Sequence, residues 1–129
     1  MVFRFRKFKI YQEAKKLHIE IIKITRKIPR DYEYISNQIR RSSLSPILNI
    51  AEGSAKRLDK DFNRYLENAM GSVNETMAIL EILLELGFFT LKEFEKFEQS
   101  YGDLVNQLGG FSKKLISCLN ASIKPLLAN

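Results

Sequence analysis

The chain predicts an all-α fold, an antiparallel up-down-up-down bundle of four helices, and three observations carry that expectation. Apolar residues recur in alternating steps of three and four over separate stretches, the period that gathers side chains on one helical stripe. The stretches are divided by Pro29, by the Lys56-Arg57 connection and by Gly87, and such short connections make consecutive helices antiparallel neighbours. No segment alternates with the period of a strand except Phe3-Arg4-Phe5-Arg6, which is too short to build a sheet.

Residues 1–8 are expected to form a basic arm, residues 9–120 the bundle and residues 121–129 a tail. The first helix follows from Ile10, Ala14, Leu17, Ile21, Ile24 and Ile28, and Pro29 stops it. The second, roughly Tyr32 to Ser54, is less regular. Tyr32, Ile39, Ser43, Ile47 and Ile50 converge on a core face, and Gln38, Ser42, Ser45, Asn49 and Glu52 form a polar stripe beside it. Pro46 leaves the Ser42 carbonyl without an N–H partner and should kink the helix, at about 3 kcal/mol in an unadapted setting. The surrounding serines allow close approach of another helix, and their hydroxyls can bond released carbonyls. Glu52 sits where the helix dipole disfavours an anion, which calls for a partner such as an Arg. The polar seam is either a network among helices or subunits, or the wall of a pocket.

The third helix follows from Phe62, Leu66, Ala69, Val73, Met77 or Thr76, Leu80 and Leu84, with Asp59 expected as its cap and Gly87 as a left-handed stop. It carries apolar residues beyond one stripe: Ile79, Ile82, Leu83 and Leu86, then Phe88 and Phe89. That surplus fits either a subunit contact or burial beneath the tail, Ile123 to Leu127. The fourth helix opens at Thr90-Leu91-Lys92-Glu93, a capping box, and continues through Phe94, Phe97, Tyr101, Leu104, Leu108, Phe111, Leu115 and Cys118. Gly109-Gly110 inside it suggests close packing or a kink.

At 129 residues, 45% hydrophobic and 28% charged, the chain suits one folded domain and not a disordered one. Cys118 is the lone cysteine, so no disulfide forms within the chain, and a free thiol suits a reducing, cytoplasmic setting. The basic N-terminus lacks the apolar run of a signal peptide, and no stretch reaches the ~20 apolar residues of a membrane span. The net charge of +6 is unevenly placed: residues 1–64 hold 16 Lys and Arg against 7 Asp and Glu, whereas residues 65–129 hold 5 against 8. Arg4, Arg6, Lys7 and Lys9 are interleaved with Phe3, Phe5 and Phe8; Lys15, Lys16, Lys23, Arg26, Lys27 and Arg30 run along the first helix; Lys56, Arg57, Lys60 and Arg64 surround the second connection. Such asymmetry suits phosphate backbones, with the phenylalanines stacking on unpaired bases. The competing readings are a solubilising surface and phenylalanines packed into a bundle groove.

Catalytic chemistry is not indicated. His18 has no second His or Cys near it in sequence to build a metal site, and Cys118 lies on an apolar stripe. Asp59, Asp61 and Glu67 lie on the first turns of a helix, where the dipole accounts for the two aspartates. There is no Gly-rich phosphate loop, and no cofactor is expected.

Tyr11-Gln12-Glu13-Ala14, Gln38-Ile39-Arg40-Arg41, Asn49-Ile50-Ala51-Glu52-Gly53 and Leu86-Gly87-Phe88 resemble the four-helix-bundle proteins encoded in intervening sequences of bacterial large-subunit ribosomal RNA genes. The same broad family includes accessory variability determinants of diversity-generating retroelements. The resemblance covers roughly Phe8 to Leu119. It implies a closed bundle, a ring-like homopentamer, a basic surface and no catalysis, and for retroelement members binding of nucleic acid and of a reverse transcriptase. Arg40, Arg41, Asn49 and Glu52 match the motif as a structural and interface set. Family members commonly carry the proline one position later, where this chain has Ile47.

Overall fold

The computed structural model describes residues 2–127, and side chains as far as residue 117. Four α-helices are present and no strand among the described residues: α1 Lys9–Thr25, α2 Glu33–Ser54, α3 Asp59–Glu85 and α4 Leu91–Leu127. Short 3-10 helices at Arg4–Lys7 and Arg30–Tyr32 precede α1 and α2. Helix α4 runs on through positions 121–127, which the sequence pattern assigns to a tail. The side chains of Cys118 and of Ile123 to Leu127 lie outside the described residues. No described helix is long and apolar enough to cross a membrane.

The helix ends follow from local chemistry. Thr90 and Glu93 form the capping box: the Thr90 N–H donates to Glu93 Oε1 at 2.9 Å and the Glu93 N–H donates to Thr90 Oγ1 at 3.1 Å. That first bond, helped by the Lys27 charge, holds the Glu93 carboxyl below the usual carboxylate range. At the end of α3 the Phe88 N–H bonds the Leu83 carbonyl and the Gly87 N–H bonds the Leu84 carbonyl, while Gly87 takes φ +81°. This is the Schellman stop that the glycine announced. Asp59 does not cap α3: the capping position is Leu58, which offers no side-chain bond, and Asp59 and Asp61 occupy the first turn, where their charge faces the positive helix end.

The core is one cluster drawn from all four helices, including Ile21, Ile39, Ile50, Phe62, Leu66, Leu80, Leu83, Leu104 and Leu108. In α1 the buried residue of the last turn is Thr25, with Ile24 and Ile28 half-buried beside it. Helix α3 packs extensively against both α2 and α4. Its wide apolar arc is therefore largely consumed within the chain: Ile79 and Leu83 are buried in the core, and only Ile82 and Leu86 stay exposed, at 48% and 42%. Thr76 is fully buried and Met77 half-buried.

Helix α2 remains helical through Pro46. Its serine hydroxyls bond carbonyls one turn earlier than expected, Ser42 to Ile39 at 3.1 Å and Ser43 to Arg40 at 3.3 Å. Gly53 is required by proximity: a Cβ there would stand 2.7 Å from Tyr65 Cβ and 2.8 Å from Phe62 Cδ1. Gly109 and Gly110 are the reverse case, since a Cβ at either meets no atom within 4 Å, and close packing does not explain them.

Tyr101 is buried with its ring stacked near Phe97, and its hydroxyl has no hydrogen-bond partner among the described residues. Burial raises its pKa, so the folded chain holds this proton more tightly than the unfolded one, whose phenol titrates near ~10. The contribution is present below that pH and is lost as pH rises above it. Tyr101→Phe removes an unsatisfied buried group and is expected to stabilise the fold by about 1–2 kcal/mol at neutral pH and to lessen the alkaline loss. Urea unfolding at neutral pH and near pH ~10.5 measures both effects; a variant less stable than the parent at both would refute the assignment.

Candidate functional site

The arm is folded onto the bundle. Residues Arg4–Lys7 make one 3-10 turn, fixed by Gln12 Nε2 donating to the Arg6 carbonyl at 3.0 Å. Arg4 Nε donates to the Ser54 carbonyl at 2.9 Å, satisfying one of the free carbonyls at the C-terminus of α2. Its guanidinium lies 5.9 Å and 5.6 Å from the ring centres of Phe8 and Phe62. Phe8, Phe62 and Phe111 form a triangle with centroid separations of 5.3 to 6.3 Å. Phe5 meets Tyr11 edge-on at 4.9 Å. Packing into the bundle thus accounts for Phe5 and Phe8, and the exposed Arg4 ties the arm to the end of α2.

This docking gathers charge from distant parts of the chain. Because Arg4 reaches Ser54, the 3-10 turn that carries exposed Arg6 and Lys7 sits against the end of α2, and exposed Lys56 and Arg57 follow Ser54 in the connection, with exposed Lys60 on the first turn of α3. Phe111 packs on Phe62, and Ser112 Oγ donates to Asn63 Oδ1, so exposed Lys113 and Lys114 follow directly on the same region. The negative average charge of the second half of the sequence conceals that lysine pair; the Lys-Lys dipeptide is its only signal. Lys56 also rests over the Tyr65 ring at 5.3 Å, and Arg64 pairs with Asp61 at 3.9 Å.

The cations of α1 are placed differently. Lys15 covers the Tyr11 ring at 5.1 Å, Lys23 pairs with Glu20 at 3.9 Å and Lys27 with Glu93 at 3.8 Å, while Arg26 and Arg30 are exposed. Lys16, Lys23 and Lys27 border a groove of about 470 Å³ between α1 and α4, floored by Leu17, Ile24 and Phe97 and shared with Glu13, Glu20 and Glu93. Mixed charge distinguishes this groove from the cluster around the arm.

The polar seam of α2 faces α3 within the chain. Gln38 Nε2 donates to Glu75 Oε2 at 2.7 Å, the buried hydroxyls of Ser42 and Thr76 share a bond at 2.8 Å, and Ser45 and Ser72 share one at 2.7 Å. Asn49 Nδ2 closes the row on Ser45, donating to its carbonyl at 2.9 Å and its hydroxyl at 3.0 Å. On the other flank Arg40 Nε donates to Thr25 Oγ1 at 2.9 Å, and Ser43 bonds His18 Nδ1 at 2.7 Å. Burial lowers the His18 pKa. Nothing in the sequence pattern points to Thr25 as the Arg40 partner. Glu52 departs from expectation: it is exposed and, like Arg41, has no ion-pair partner among the described residues. No group of three or more His, Cys, Asp or Glu able to hold a metal occurs among the described residues.

Known proteins share this architecture. A crystal structure from Bacteroides thetaiotaomicron, described as a protein with unknown function from the S23 ribosomal protein family, matches with a TM-score of 0.74. The match covers 81% of this chain and 95% of that one at 23% sequence identity, a likeness of fold. No curated protein matches the chain. The sequence profile of the 23S rRNA-intervening sequence proteins matches residues 6–110, a span that takes in the α2–α3 seam and Gly53 but not Arg4, Phe5 or Phe111. The chain belongs to the 23S rRNA-intervening sequence protein family.

Proposed function

We propose that the protein is a non-enzymatic, cytoplasmic adaptor that binds the phosphate backbone of nucleic acid through the basic region around the docked arm. One observation carries this reading: the bond from Arg4 to Ser54 holds the turn that carries exposed Arg6 and Lys7 against the end of α2, from which exposed Lys56 and Arg57 follow. Arg6, Lys7, Lys56 and Arg57 make no ion pair among the described residues, which suits a polyanion, and backbone contacts bring no base readout. The test is titration of fluorescent single-stranded RNA at two salt concentrations, using the parent and an Arg6/Lys7/Lys56/Arg57→Ala variant that spares the structural Arg4. Affinity should fall steeply with salt, and the variant should have a slope shallower by about one for each phosphate no longer neutralised. Undetectable binding at low salt rejects the function and favours a protein-only scaffold. Equal binding by both proteins moves the site to the α1 cations.

The helices are taken as an antiparallel bundle, supported by two pairs in which the later α1 residue meets the earlier α2 residue, His18 with Ser43 and Thr25 with Arg40. Self-association, with five copies in a ring, is supported by apolar residues that the chain leaves uncovered: Leu44 and Leu48 on α2 at 38% and 49% exposure, with Ile82 and Leu86 on α3. Arg41 and Glu52, also on α2, supply charges for subunit contacts. Light scattering should report the mass of five chains, and a monomer at micromolar concentration would reject assembly. A ring would repeat each basic region, so avidity would strengthen weak sites. A reverse transcriptase partner is part of the same proposal, and a reverse transcriptase gene beside this one would support it.

A further inference from the structure

We infer that Phe3 is the stacking platform for one unpaired base, so that the arm takes single-stranded nucleic acid in preference to duplex. The inference rests on the nucleic-acid reading above. The three arm phenylalanines are not equivalent: Phe5 is half-buried against Tyr11 and Phe8 is built into the Phe62–Phe111 cluster, but Phe3 is 57% exposed. Its ring meets Phe5 edge-on, with centroids 6.2 Å apart at 65°. Phe3, Val2, Arg6 and Lys7 line an open depression of about 380 Å³. The platform is fixed before any ligand arrives, because the Arg6 N–H donates to the Phe3 carbonyl at 3.2 Å and Gln12 holds the Arg6 carbonyl. Arg6 and Lys7 make no ion pair among the described residues.

A nucleotide presents a flat apolar base joined to an anionic phosphate, and the depression offers an aromatic ring one turn from two cations. Base–aromatic stacking tolerates any sequence, because every base has a π-face. A paired base keeps its faces inside the helical stack, so duplex nucleic acid reaches only Arg6, Lys7 and the neighbouring cations.

The experiment uses a short oligonucleotide carrying one fluorescent adenine analogue whose emission reports stacking, single-stranded or annealed, with the parent, Phe3→Ala and Phe3→Tyr. Phe3→Ala should weaken single-strand binding by about tenfold and abolish the emission change, with duplex affinity, salt dependence and melting temperature unaltered, and Phe3→Tyr should restore both signals. If Phe3→Ala matches the parent on single strands, or weakens single strand and duplex alike, the stacking inference is overturned while nucleic-acid binding stands. If the parent binds neither form at low salt, both readings fall.

Discussion

Gly53→Val is expected to lower the stability of the protein by about 2–3 kcal/mol. The atoms that a Cβ would meet are the Tyr65 Cβ and the Phe62 ring, at 2.7 and 2.8 Å. Tyr65 Cβ is anchored to the α3 backbone and cannot rotate away, so α2 and α3 must separate at this crossing, about two turns beyond the Ser45–Ser72 bond. Gly71→Ala is the matched control: a Cβ there meets nothing within 4 Å, and alanine should gain roughly 0.5–1 kcal/mol of helix propensity. Denaturant unfolding measures both. A Gly53→Val protein that unfolds with the parent would show that the helices yield at this crossing without cost.

Phe62→Ala should cost about 3–5 kcal/mol, because the ring is buried at the centre of the aromatic cluster. Its second effect is on the arm. Phe8 and the Arg4 guanidinium both rest on this ring, so its loss loosens Arg4–Lys7 and disperses the cations gathered beside Ser54. Trypsin should then cleave after Arg6 and Lys7 faster than in the parent, under conditions where the variant remains folded. Unchanged protection at those two sites would break the link between the cluster and the arm.

The helices are legible in the sequence because their cause is local and periodic. The capping box at Thr90 and the left-handed Gly87 are legible for the same reason: each is a short-range arrangement between neighbouring residues. What the sequence conceals depends on how helices cross. Thr25 becomes the acceptor for Arg40, and Gly53 a contact point, only through the placement of α1 and α3 against α2. The apolar surplus of α3 is smaller than one stripe per helix implies, because a helix packed by two neighbours needs a wider arc, and Ile79 and Leu83 fill it. The basic region is legible as composition along the first half of the chain. Its docking against the end of α2 is not, since Arg4 and Ser54 are fifty residues apart in the chain.

The docking of the arm also sets an order of events during synthesis. Residues 3–8 leave the ribosome before Ser54, Phe62 and Phe111, the groups on which Arg4 and Phe8 settle. The Arg4 contacts can therefore form once Ser54 and Phe62 have emerged, whereas Phe8 completes its cluster only when Phe111 follows, so the clasp closes in two stages, the second waiting for α4.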